Sequence, residues 1–260
     1  MMFGISFPYV ILLFAAAFGA GTINAVAGGG TLLSFPALIS IGLDPKIANA
    51  TSTIALWPGL AGSLLGYRRE LHAGRAFMVR LGLVSLAGGI LGTFLLIKTP
   101  SATFARLVPF LILFATLLFT LQEPVSRWMK SRSTPESDSG SRWWIPAVTI
   151  QFLAATYGAY FGAGNGILIL AALGLLGISD IHVANGLKIF LAICLNVVAI
   201  IGFIFAGLIA WPPALVMAIG SVAGGYFGAS VARRLNRTLV RGLVILIGFA
   251  IGILMLFRMS

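Results

Sequence analysis

Shifted against itself by 136 residues, with no gaps, this chain repeats. The shift pairs Gly28 with Gly164, Gly30 with Gly166, Asp44 with Asp180 and Asn49 with Asn185. It also pairs Ser85 with Ser221, Gly88-Gly89 with Gly224-Gly225, and Gly92 with Gly228. Apolar matches carry little weight in so apolar a chain. Matched Asp, Asn and paired glycines in a single register do carry weight, because composition alone does not produce them. One folding unit used twice is therefore the first constraint on the architecture.

Each half divides into five apolar segments. In the first half they cover about 7–27, 31–43, 47–67, 76–97 and 104–121; in the second, 144–163, 167–178, 183–206, 212–231 and 239–257. Residues 122–143 are hydrophilic, with Pro124, Pro135 and a Ser-rich, mixed-charge stretch, and read as a linker. The expected division is a first membrane repeat over 1–121, a hydrophilic cytoplasmic linker over 122–143 and a second membrane repeat over 144–260. Only 9% of residues are charged and the mean hydropathy is +1.06. A soluble domain carries about 25% charged residues, so the chain reads as all-α and polytopic in a membrane. The runs are continuously apolar and do not alternate, which excludes barrel strands. The N-terminal stretch lacks a basic n-region and has a counterpart in mid-chain, so it is expected to belong to the fold.

The net charge of +11 is not a nucleic-acid signature here, and no nucleic-acid partner is expected. The arginines gather in short connections, as cytoplasmic loops do. In the first half these are Arg68, Arg69, Arg75 and Arg80, between the third and fourth segments. In the second half they are Arg233, Arg234, Arg237 and Arg241, between the fourth and fifth. Both sets lie on one side only if the halves are inverted repeats. That requires the first two segments of each half to return to their starting side, as a re-entrant Gly-rich hairpin or as two tilted crossings. Both arrangements leave an odd number of crossings per half, with the chain ends outside and the linker inside.

Inverted repeats with broken helices are a transporter plan. The breaks are Gly28-Gly29-Gly30-Thr31 and Gly164-Asn165-Gly166. Irregular backbone at membrane depth is tolerated only where protein buries it or a wet cavity adjoins it. A helix starting at either break offers free N–H groups and a partial positive charge, which suits an anion. Asn49, Thr51, Ser52, Thr53 and Asn185 add neutral donors nearby. Lys188 lies inside an apolar segment, where an ammonium is costly unless it serves a function or snorkels to the interface. Its register partner is Ser52, in the polar run, which favours a substrate-facing lysine.

The six acidic residues are Asp44, Glu70, Glu123, Glu136, Asp138 and Asp180, and none is deep in an apolar segment. A cation site usually needs one there. Asp44 and Asp180 read as helix caps. His72, His182 and the single Cys194 are too few and too separated for a metal site. No catalytic constellation is visible, so no enzyme activity and no cofactor are expected. Gln151, Tyr157, Tyr160 and Asn196 read as interhelical hydrogen-bond formers, and most of Trp57, Trp143, Trp144 and Trp211 as interface anchors. The glycines at 88, 89, 92, 224, 225 and 228 read as packing positions.

The stretches Asn24-Ala25-Val26-Ala27-Gly28-Gly29-Gly30-Thr31-Leu32 and Ala48-Asn49-Ala50-Thr51-Ser52-Thr53 resemble the TauE/SafE sulfite exporter family of membrane permeases. So do Gly162-Ala163-Gly164-Asn165-Gly166 and Ala184-Asn185-Gly186-Leu187-Lys188. The resemblance implies a permease for sulfite, organosulfonates or related sulfur-containing anions in the cytoplasmic (inner) membrane. Its partners would be the lipid bilayer and a small anionic substrate, with a coupling proton and a homo-oligomer left open. The competing expectations are a non-transporting membrane assembly partner and a permease for a cation or metal ion.

Overall fold

A computed structural model describes residues 6–26, 29–66, 71, 75–131, 144–178, 180–231 and 237–259. Among them are ten helices and no strand. The first half holds α1 (Phe7–Val26), α2 (Thr31–Ser40), α3 (Pro45–Gly66), α4 (Arg75–Lys98) and α5 (Ser101–Ser131). The second holds α6 (Trp144–Tyr160), α7 (Asn165–Leu175), α8 (Ile181–Phe205), α9 (Trp211–Val231) and α10 (Arg237–Met259). The segments expected from hydropathy are therefore the helices observed, five to a half.

One boundary differs. α5 continues to Ser131, ten residues into the stretch read as linker. Glu123 and Arg127 pair one turn apart at 2.6 Å, and Met129 is buried against Gly174 of α7. The helix continues past Pro124, which removes one backbone hydrogen bond, and the packing of Met129 on α7 anchors the extension.

By length and composition, α1, α4, α5 and α8 each contain a membrane-crossing window, and among the described residues these four meet that standard. Their outer faces expose Ile90, Phe94, Phe110 and Phe205. Such faces would be a defect in water and are ordinary against lipid. The chain is a multi-pass helical membrane protein.

The halves interlock by exchanging a helix. α1 of the first half packs most extensively on α9 of the second, and α6 of the second on α4 of the first. α3 likewise rests on α9, and α8 on α4. The result is two three-helix bundles, α1–α3–α9 and α6–α8–α4, with α5 and α10 packed together beside them. Glycine makes both crossings close. A Cβ on Gly224 would run into the Phe18 carbonyl of α1, and one on Gly92 into the Thr156 carbonyl of α6. Gly88 is also tight against the Phe152 carbonyl of α6, and Gly89 lies close to Leu195 of α8. In lipid, backbone approach of this kind replaces the hydrophobic drive as the glue.

The caps repeat as well. Asp44 accepts from Lys46 N at 2.9 Å and Ile47 N at 3.4 Å; Asp180 accepts from His182 N at 2.8 Å and Val183 N at 3.4 Å. Both aspartates therefore cap α3 and α8, as the sequence reading expects. Gln151 donates to Ser85 at 2.8 Å, tying α6 to α4.

Candidate functional site

The two short helices α2 and α7 begin next to a cavity of about 410 Å³. Each start is made by glycines. Gly29 has φ +91° and Gly164 has φ +75°, a region that a residue with a Cβ rarely occupies. These turns reverse the chain between α1 and α2 and between α6 and α7. A Cβ on Gly29 would also lie 2.8 Å from the Phe119 ring.

The structure brings Gly29, Thr31, Thr53, Gly164, Asn165, Gly166, Asn185 and Lys188 to this cavity. Lys188 Nζ donates to Asn185 Oδ1 at 2.9 Å, one turn back on α8. Its aliphatic stem crosses the start of α7, because a Cβ on Gly166 would stand 3.2 Å from Lys188 Cδ. Gly166 thus makes room for the lysine to lie over the first turn of α7. The ammonium and the helix start present positive potential to the same space.

Four of the thirteen sequence-designated residues are not in the cavity wall. Gly30 donates its N–H to Asn24 Oδ1 at 2.8 Å and packs against the Ala20 carbonyl. Asn49 donates to the Tyr160 carbonyl at 3.0 Å. Thr51 accepts from Ala210 N at 3.0 Å, and Ser52 shares a 2.6 Å hydrogen bond with Ser34. Gly28 lies outside the described residues.

Other residues complete the wall. Asn24, Leu60, Ser63, Gln122, Ser126 and Ser221 line it without having been singled out as ligands. Asn196, read from sequence as a helix–helix hydrogen-bond former, also faces the cavity. Trp57, read as an interface anchor, forms part of the wall, with a buried indole N–H that has no partner. Helical spacing would have found several of these. Thr53, Leu56, Trp57, Leu60 and Ser63 form one face of α3, and Asn185, Lys188, Ala192 and Asn196 one face of α8.

The charge census of the wall is one-sided. Among the described residues, Lys188 is the one lysine or arginine lining it, His182 also lines it, and no carboxylate does. Among the described residues, no group of three His, Cys, Asp or Glu side chains comes together to hold a metal ion.

The model of the sulfite exporter TauE/SafE family matches residues 13–255. The chain belongs to that family. Curated relatives agree over nearly the full length. A "probable membrane transporter protein ORF9" of Sinorhizobium sp. is 27% identical over 97% of this chain and 94% of the relative. A "probable membrane transporter protein" of Haemophilus influenzae is 30% identical over 94% of this chain and 93% of its own. The Escherichia coli K12 relative YfcA, also named a probable membrane transporter protein, is 24% identical over 91% and 85%. No solved structure matches the chain. The family and its named relatives make this a membrane transporter. The two breaks and Lys188 fall within the matched span.

Proposed function

We propose that the protein is a secondary transporter for a small oxyanion, moved across the cytoplasmic membrane by alternating access. The observation that carries this is the charge census of the cavity. Its wall combines Lys188, the starts of α2 and α7 and uncharged donors, with no lining carboxylate among the described residues. Such a wall attracts anions and offers a cation no counter-charge. The family description names sulfite, which supports a sulfur oxyanion such as sulfite or an organosulfonate as the substrate.

Inverted topology is part of the proposal and has two supports. The two bundles follow the same plan with the halves exchanged. The cavity also draws on the second half of α3 and the first half of α8, as expected of counterparts that run in opposite directions. With arginine-rich connections inside, the cavity opens toward the cytoplasm.

Uptake into proteoliposomes tests the proposal. Sulfite, thiosulfate, sulfoacetate, sulfate and chloride are compared for wild type and Lys188→Ala. A selective sulfur-oxyanion flux that Lys188→Ala abolishes is the expected result. Cation flux without anion flux, or anion flux indifferent to Lys188, would overturn the assignment.

A further inference from the structure

The polar ties between the two bundles gather at one end of α3. Lys46 is buried, and its ammonium donates to the carbonyls of Ile97 at 2.7 Å and Thr99 at 2.9 Å, at the end of α4. Asn49, one turn further on, donates to the Tyr160 carbonyl at the end of α6. α3 belongs to one bundle, and α4 and α6 to the other. Lys46 and Asn49 therefore cross from bundle to bundle, whereas the Thr22–Gly224, Ser221–Ala55 and Gln151–Ser85 bonds stay within one. Beneath this pair lies an aromatic layer. Tyr160 meets Phe104 edge-on at 5.6 Å, and Phe161 meets Phe35 edge-on at 5.5 Å. Phe161 also lines the cavity, so this layer is its closed end.

The repeat register identifies what stands at the open end. Shifted by 136 residues, Asn49 becomes Asn185 and Tyr160 corresponds to Asn24. In the first pair the amide holds the carbonyl. In the second pair, both residues instead line the cavity. Asn185 is bonded through its oxygen to Lys188, and Asn24 through its side-chain oxygen to Gly30 N. The Asn185 amide and the Asn24 carbonyl are thus the register counterparts of a bond that is closed at the other end.

Resting on the transport reading above, we infer that Lys46 and Asn49 are positioning residues that latch the outer gate, and that the Asn185 amide closing on the Asn24 carbonyl is the inner latch, open in this structure. The inner latch involves the residue that holds Lys188, so closure behind the substrate and orientation of the lysine depend on the same side chain. The outer latch has no such link. Its lysine binds helix-end carbonyls and does not face the cavity, so breaking it alters which side is open and leaves the ligand wall intact.

The test reads sidedness and needs no substrate. In Cys194→Ser, a reporter Ala192→Cys in the cavity wall is labelled with a membrane-impermeant maleimide, from outside in cells and from the cytoplasmic face in inside-out vesicles. The background is expected to label from the cytoplasmic face. Lys46→Met with Asn49→Ala is expected to raise outside labelling tenfold or more, and Lys46→Arg to keep the background pattern. Adding Asn185→Leu to the latch variant removes the inner tie and is expected to return labelling to the cytoplasmic face. Unchanged sidedness in the Lys46→Met, Asn49→Ala protein, purified as a monodisperse species, would overturn the inference, as would an Asn185→Leu variant that stays open to the outside. A sidedness shift without anion uptake would uphold the latch and reject the anion reading. Uptake without a shift would do the reverse.

Discussion

α3 and α8 stand at matching places in the 136-residue register, capped by aspartates with nearly equal bond lengths, and their polar faces differ. Along α3, Lys46, Asn49 and Ser52 are all buried and bonded to other helices. At the matching places on α8, His182 is exposed, and Asn185 and Lys188 face the cavity. One scaffold thus has its polar face sealed in the first half and open in the second. On the proposed reading, the shared register supplies a frame, and the ligand-facing groups are departures from it. Ser52 closes a helix contact where Lys188 supplies the charge.

The comparison breaks most sharply if the two residues are exchanged. Ser52→Lys places an ammonium in a fully buried site held by Ser34, at a cost of about 3 kcal/mol on insertion scales. Loss of the folded, monodisperse species on size-exclusion chromatography is the expected outcome. Lys188→Ser faces the cavity, so it should fold normally. Losing one charge-assisted contact should weaken anion binding roughly 10- to 100-fold, read as a rise in the concentration for half-maximal uptake.

The two register-matched glycines sharpen the contrast. Gly30→Ala drives a Cβ into the Ala20 carbonyl, which is helix backbone and cannot yield, and against the Asn24 amide. Strain of this kind costs about 1–3 kcal/mol, visible as a lower Tm. Gly166→Ala meets only the Lys188 stem at 3.2 Å, so it should leave Tm near wild type and reduce uptake by displacing the lysine. The smallest effects belong to the caps. Asp44→Ala and Asp180→Ala should each lower stability by about 1 kcal/mol, equally if the halves are equivalent there.

Much of the frame was legible because hydropathy and glycine breaks are local signals. All ten segments, both aspartate caps and the packing role of Gly88, Gly92 and Gly224 follow from residue type and register. The end of α5 was not legible, since Met129 packs on Gly174, a contact made only in the folded chain. Within the polar run 49–53, composition marked every residue alike. Helical rotation then turned Thr53 to the cavity, Thr51 to the connection before α9 and Ser52 to α2. Trp57 stands beside Pro58, where an aromatic resembles an interface anchor, and its place on the 53–56–57–60–63 face, visible only once the helices are packed, puts it in the wall.

The most direct measurement is a crystal structure with selenite, a heavier analogue of sulfite whose selenium scatters anomalously. The account predicts one anomalous peak in the cavity, within hydrogen-bonding distance of Lys188 Nζ and near the first turn of α7, that disappears in Lys188→Ser. Selenium density elsewhere, or a rubidium ion occupying the cavity in its place, would contradict it.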